Sequence, residues 1–212
     1  WCDHIARMWP VTAVIGENGA FYFAYDRQCR KMIREYLHST SDQEEGRRRL
    51  AILREQVIRD VPGCAISADQ PFRISDLAID FREDVEPLSP EAVHSICSLA
   101  HNLGLIAKIS SIHVNCWFGQ FDKITCLKHL LVNHFNQNPD DVQDAMTYIG
   151  DSPNDAPAFA HIRHSIAVAN IRPFLDTLAH KPRYITRKTS GAGFCEAVET
   201  ILAMRQVPDI TG

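Results

Sequence analysis

The chain of 212 residues contains no run of about 18 apolar residues, so no membrane span is expected. Its first residues, Trp1-Cys2-Asp3-His4-Ile5, carry neither the basic region nor the apolar block of a signal peptide. An excess of one charge is also lacking, since the net charge is −4 and the pI is near 6.2. These absences argue against nucleic-acid and membrane partners and favour a cytoplasmic protein.

Cysteine pairs at zinc or redox spacing are absent, and the number of cysteines, seven, is odd. Most of them have apolar neighbours, which predicts buried free thiols in a reducing cytoplasm. The ten histidines are equally dispersed. His161 and His164 fall near one predicted helix end, where a surface role is favoured over metal ligation.

The first part of the chain contains the signals of a small mixed α+β region. Apolar residues at 11–15 and 20–23 flank Glu17-Asn18-Gly19, which predicts a β-hairpin with an Asn-Gly turn. Helices are predicted at 28–38, at 44–59 and after Ser89-Pro90, with Gly104 ending the third. Strands are predicted at 72–81, half-buried in an antiparallel sheet, and at 105–109 and 111–117.

After residue 120, helices and strands alternate at short intervals, which is typical of a doubly wound parallel sheet. The predicted elements are a helix at 122–135, a strand ending at Asp151, a helix at 155–161, a strand at 165–169, a helix at 171–179, a strand at 183–186 and a helix at 192–204. The predicted fold class is therefore α/β, with a Rossmann-like doubly wound core at 1–24 and 116–212. Residues 25–115 form an inserted α+β module.

The segment Gly150-Asp151-Ser152-Pro153-Asn154-Asp155 is the most informative part of the sequence. A short apolar run precedes it and reads as a buried strand, so Asp151 falls at the carboxyl end, where ligands bind in open α/β sheets. Asp155 returns one helical turn later. Two carboxylates converging there suit Mg²⁺. The alternative for this segment is that Asp151 or Ser152 caps the next helix, with Pro153 in its first turn.

Lys123 opens the helix that precedes this strand. A lysine in the first turn of a helix is disfavoured by the helix dipole, which indicates a functional ammonium directed at a phosphate. One alternative is that Lys123 is an ordinary surface lysine on a stable helix. Lys128, which lies more than a turn further along, is a competing candidate for the functional lysine.

With these motifs in this order, the chain resembles the haloacid dehalogenase (HAD) superfamily. Within it, the chain is similar to type IIB phosphatases with a C2 cap, the group of sucrose-phosphate and mannosyl-3-phosphoglycerate phosphatases. The resemblance includes the Glu17–Ala20 turn and the segments 166–170 and 184–194. It implies a HAD-like core, with residues 25–115 as the cap.

The resemblance also implies roles for individual residues. Lys123 would balance charge on the phosphate and the attacking carboxylate. Asp151 would bind Mg²⁺, and Asp155 would bind it directly or through water. Asn154 would orient the lysine or the phosphate, and Ser152 would donate its hydroxyl or backbone N–H to the same cluster.

One part of the family pattern is missing. The superfamily attacks phosphorus with the first aspartate of an Asp-x-Asp motif, and the 212 residues contain no such motif. Asp3 follows no apolar strand, and Asp26 follows the hairpin. By analogy of element order, Trp1 lies after the second family motif, so a preceding segment of roughly fifty residues is expected to supply the nucleophile. The 212 residues alone are expected to be inactive.

The sequence thus predicts a Mg²⁺-dependent phosphatase that acts on a small phosphorylated metabolite, a sugar phosphate in the favoured version, through an aspartyl-phosphate. Two alternatives stay open: an inactive relative that binds a ligand or partner, and a phosphomutase. The cap would exclude water and select the leaving group, with Arg73, His113 and Asn115 as candidates to face the site. A monomer and a homodimer are both compatible with the sequence.

Overall fold

The computed structural model describes residues 1–206. The chain forms two compact units, Trp1–Asn136 and Gln137–Gly212. Within the described residues, no helix has the length and apolarity needed to cross a bilayer. The division into a core at 1–24 and 116–212 and a cap at 25–115 stays a prediction.

The first unit contains two antiparallel sheets and four helices. The sheets have the strand orders β1-β2-β3 and β4-β5-β7-β6. The strands are β1 Val14–Gly16, β2 Phe21–Asp26, β3 Lys31–Tyr36, β4 Ala65–Ile66, β5 Asp76–Asp80, β6 Ile106–Ile109 and β7 His113–Trp117. The helices are α1 Cys2–Met8, α2 Thr40–Asp60, α3 Pro90–Asn102 and α4 Lys123–Asn133. The apolar faces of α2 and α3 pack on the four-stranded sheet, with Leu53, Ile79 and Ile96 fully buried.

The cap predicted for α3 and its predicted end at Gly104 are confirmed, whereas α2 begins at Thr40, before its predicted start at residue 44. Ser39 Oγ accepts the backbone N–H of Asp42 at the start of α2, and Ser89 Oγ accepts that of Ala92 at the start of α3. Such caps satisfy N–H groups that have no partner within the helix. Gly104 follows α3 with a φ of +67°, a conformation that glycine adopts without strain.

The predicted helix at 28–38 is wrong, because this segment forms the strand β3. Asp26 Oδ1 accepts the backbone N–H groups of Gln28 and Cys29, which makes a tight turn after β2. Arg30 then takes a positive φ of 55°, and the chain returns antiparallel to β2. The apolar residues that suggested a helical face are too few to distinguish it from a strand.

The strand predicted at 72–81 is present as β5, but it is buried along its whole length rather than on one face. It lies between β4 and β7, and its carboxylates Asp76 and Asp80 are 3% and 1% exposed. Buried carboxylates require partners, and both have them.

The Asn-Gly turn between β1 and β2 is anchored to the start of β5. Glu17, Asn18 and Gly19 have φ values of 44°, 58° and 102°. The Glu17 carboxylate accepts the backbone N–H groups of Ile74, Ser75 and Asp76 at 2.8, 2.5 and 3.1 Å. The Asn18 amide donates to Asp76 Oδ2 at 3.2 Å. We call these contacts the turn junction, and they connect the two sheets of the first unit.

Asp76 makes the stability of the protein depend on pH. Burial raises its pKa to about 6, although the Arg73 guanidinium, 3.1 Å away, acts in the opposite direction and Glu17 adds to the rise. Because the folded pKa lies above the unfolded value, the contribution of Asp76 is fully present below about pH 4 and is lost as the pH rises through 6. Relative to Asp76→Asn, the wild type is expected to lose about 3 kcal/mol of unfolding free energy between pH 4 and pH 7.

Denaturant unfolding of both proteins at several pH values measures this difference. Groups common to the two proteins cancel in the comparison. A difference that stays constant between pH 4 and pH 7 would contradict the assignment to Asp76.

The second unit contains a parallel sheet of three strands in the order β10-β9-β8. Its elements are β8 Thr147–Gly150, β9 His164–Ala167, β10 Tyr184–Ile185, α5 Ala156–His161 and α6 Ser190–Gln206. The parallel pairing confirms the predicted α/β class. The helix predicted at 171–179 is instead a 3-10 helix over Ala169–Phe174, where Pro173 removes a backbone donor.

All seven cysteines are free, but they differ in environment. Cys116 and Cys126 are buried, and burial raises the pKa of the Cys126 thiol to about 12. The prediction of buried thiols is therefore confirmed for these two. It is wrong for Cys29 and Cys195, which are exposed.

Candidate functional site

The aspartate loop, residues 150–155, lies at the carboxyl end of β8 in the second unit. β8 ends at Gly150, and Asp151 follows as an exposed residue. Ser152 then occupies the N-cap position of a 3-10 helix over Pro153–Asp155, which leads into α5. The predicted arrangement of a strand, a carboxylate at its end and a helical turn is therefore observed.

The buried Asp155 carboxylate holds this loop in place by accepting hydrogen bonds from it. Its side chain is almost completely buried, at 2% exposure. Oδ2 accepts the backbone N–H groups of Asp151 and Ser152 at 2.9 and 3.2 Å, and Oδ1 accepts the Tyr148 hydroxyl at 2.6 Å. The Asp155 carboxylate thus fixes the main chain at the position from which the Asp151 side chain projects.

Tyr148 is the partner that the sequence did not reveal as part of the site. Burial is the main cause that raises the pKa of its hydroxyl, and the neighbouring Asp155 carboxylate adds to the effect. The hydroxyl therefore stays protonated and donates to Asp155. A tyrosine in the strand just before an acidic loop is the only signal that the sequence offers for this contact.

Glycine is required at position 150 because the Asp155 carboxylate lies close to the backbone there. A Cβ atom at this position would lie 2.6 Å from Asp155 Oδ2 and 2.8 Å from its Cγ. Its φ is not positive in the structure, so the reason is space rather than backbone conformation. The glycine allows the Asp155 carboxylate to fold back against the strand.

Ser152 and Asn154 form a second pair within the loop. The Ser152 hydroxyl donates to Asn154 Oδ1 at 2.6 Å, and Ser152 is 5% exposed. Because Asn154 Oδ1 accepts this hydrogen bond, the NH₂ group of the amide is the part that can donate to a further partner. This orientation suits an amide that contacts an anion.

The two interpretations of the loop, a helix cap and a ligand site, apply to different residues. Ser152 takes the capping position, and Asp155 reaches back to the N–H groups that precede the helical turn. An exposed carboxylate at a strand end fits a hard cation, so the residues present fit Mg²⁺ with Asp151 as its ligand.

Lys123 lies in the first unit, as the first residue of α4. Its neighbour Asp122 caps the helix, and Asp122 Oδ1 accepts the backbone N–H of Thr125 at 2.7 Å. The acidic cap offsets the unfavourable helix dipole at Lys123. That Lys123 shares one site with Asp151, Ser152, Asn154 and Asp155 stays a prediction.

The three residues that the sequence suggested for the cap all lie in the first unit, and two of them have charged partners there. Arg73 pairs with Asp69 and Asp76 at 2.8 and 3.1 Å, and its side chain is only 17% exposed. Asn115 is buried in β7. His113 lies beside Glu83. The Arg73 guanidinium thus has carboxylate partners within its own unit.

The fold is a HAD-like α/β fold, which comparison with solved structures shows. Protein 0175 of Thermoplasma acidophilum has a TM-score of 0.65 at 15% identity, over 94% of this chain and 77% of its own. The sucrose-phosphatase of Synechocystis sp. PCC6803, solved with sucrose and phosphate, gives 0.60 at 15% identity, over 89% and 73%. A sugar phosphatase of HAD subclass IIB gives 0.57 at 11% identity, over 90% and 76%.

No family model and no curated protein sequence matches the chain. At these identities the likeness establishes the fold alone. Two of the structural neighbours are named as phosphatases of the HAD superfamily.

Proposed function

We propose that the protein is a Mg²⁺-dependent phosphatase of the HAD type, with a type IIB C2 cap, that hydrolyses a small phosphorylated metabolite. The observation that carries this proposal is the aspartate loop, in which buried Asp155 fixes exposed Asp151 at the end of a parallel strand. The HAD-like fold, seen in phosphatases of known structure, supports the same activity.

Phosphoryl transfer depends mainly on positioning and on neutralising charge. Mg²⁺ held by Asp151, with Asp155 behind it, would supply positive charge to the phosphate oxygens. The Lys123 ammonium would add a second positive charge, and the Asn154 amide and Ser152 would orient the phosphate or the lysine. The attacking carboxylate of an aspartyl-phosphate mechanism would come from residues outside these 212.

A sugar phosphate is the proposed substrate class. Two neighbours are described as a sucrose-phosphatase and a sugar phosphatase, and a third is related to trehalose-6-phosphate phosphatase. The four-stranded sheet with α2 and α3 would serve as the cap that covers the substrate and excludes water.

The test is a phosphate-release assay on the full-length protein with a panel of sugar phosphates and other phosphate monoesters. Release that requires Mg²⁺ and stops with a chelator is expected. Reading the coding sequence upstream of Trp1 is the companion observation, and an Asp-x-Asp at a strand end is expected there. No release from any ester, or a start codon directly upstream of Trp1, would instead favour a binding protein. Transfer of phosphate within the substrate would favour a phosphomutase.

A further inference from the structure

Three side chains with metal-binding atoms meet at one end of the four-stranded sheet in the first unit. Asp80 is the last residue of β5, and His113 is the first residue of β7, directly opposite it in the antiparallel register. Glu83 follows in the loop after β5. One ligand atom from each lies within 4.8 Å of the other two.

His113 is the most informative member of this cluster. Its side chain is 8% exposed, and its Nε2 atom is buried without a hydrogen-bond partner in the described part of the chain. Glu83 Oε2 lies 2.8 Å away, yet this contact does not have hydrogen-bond geometry. Buried ring nitrogens are normally satisfied, so this atom requires an explanation.

Asp80 supplies a fixed negative charge to the same place. Asp80 is 1% exposed, and its carboxylate accepts the backbone N–H groups of Arg82, Glu83 and Asp84, which stabilise its ionised form. Oδ2 accepts one of these N–H groups and Oδ1 accepts two. A carboxylate oxygen offers two lone-pair positions, so Oδ2 retains one for a cation.

We propose that Asp80, Glu83 and His113 form a binding site for a divalent transition metal ion of the Zn²⁺ type. An imidazole with two carboxylates suits such an ion, whereas Mg²⁺ prefers oxygen ligands alone. The site lies in the first unit and uses none of the residues proposed to hold Mg²⁺ or the phosphate; it shares only His113 with the candidate cap residues. It therefore does not depend on the proposed function.

A bound ion would draw together the three ligand atoms, which lie within 4.8 Å of one another. Ligand atoms around tetrahedral Zn²⁺ are about 3.3 Å apart, given bond lengths near 2.0–2.1 Å. Asp80 and His113 are held in the sheet, but the Glu83 side chain is 45% exposed and can move into place. Its exposure also leaves the solvent side of the site open for a water as the fourth ligand. A bound ion would join the loop after β5 to the start of β7.

Calorimetric titration of the full-length protein with Zn²⁺, in millimolar Mg²⁺, tests this proposal. One site is expected in the wild type, and both His113→Gln and Glu83→Gln are expected to weaken its affinity on the order of 10–100-fold. His101→Gln, an exposed histidine on α3, is the matched control and should bind as the wild type does. Co²⁺ in place of Zn²⁺ should give an absorption spectrum that both site variants lose.

Equal affinity in the wild type and both site variants would overturn the proposal, as would the absence of Zn²⁺ binding by the wild type. If His113→Gln fails to fold, Glu83→Gln decides the question, because Glu83 is partly exposed. Phosphatase activity is not the readout, so failure here is distinguishable from failure of the proposed function.

Discussion

Replacing Asp151 by asparagine is expected to reduce the Mg²⁺-dependent release of phosphate on the order of 10³-fold. Removal of the carboxylate charge weakens metal binding and the stabilisation of transition-state charge, and about 4 kcal/mol of lost stabilisation corresponds to this factor. Because Asp151 is exposed, its replacement should change the free energy of unfolding by no more than about 1 kcal/mol. Initial rates over a range of Mg²⁺ concentrations, with thermal unfolding in parallel, measure both effects.

Asp176→Asn is the matched control for this experiment, since it removes one carboxylate from an exposed position of the same unit. It should leave both activity and stability at wild-type levels. Full activity in Asp151→Asn would remove Asp151 from the proposed metal site. A large loss of stability in that variant would assign it a structural role instead.

Replacing Asp155 by alanine is expected to lower the stability of the second unit by about 2–4 kcal/mol and to abolish activity as well. Two backbone N–H groups and the Tyr148 hydroxyl would lose their acceptor in a buried place, and each unsatisfied donor is costly. Without the carboxylate, the main chain at Asp151 would also lose its fixed position. Amide hydrogen exchange at Asp151 and Ser152 should therefore become faster than in the wild type.

Tyr148→Phe provides the graded comparison, because it removes one of the three hydrogen bonds and keeps the aromatic ring. We expect a loss of about 1 kcal/mol and only slightly faster exchange at Asp151 and Ser152. If Asp155→Ala left exchange at these two amides unchanged, the Asp155 carboxylate would not be what fixes the loop.

Elements with a strong local signal were predictable from the sequence. α2 and α3 each combine a capping serine with an apolar repeat of helical period, and both were confirmed. β3 was not predictable in this way. Its direction depends on the turn that Asp26 makes and on pairing with β2, and a short apolar cluster fits either a helix or a strand.

The same distinction applies to the candidate site. Asp151 and Asp155 are four residues apart in one loop, so the sequence indicated their joint placement. Their division of roles, one exposed and one buried under Tyr148, depends on how far side chains reach in three dimensions. The cluster at Asp80 was missed because the register of β5 against β7 brings His113 opposite it.

The turn junction has a consequence for the order of folding. Three successive residues with positive φ, of which only one is glycine, make the β1–β2 hairpin unfavourable in isolation. The Glu17 side chain compensates through N–H groups that lie 57 to 59 residues further along the chain. Although this hairpin is local in sequence, it should therefore form late. During synthesis the hairpin would lack these stabilising hydrogen bonds until β5 has left the ribosome. The four-stranded sheet is therefore expected to form before, or together with, the three-stranded sheet that precedes it in the chain.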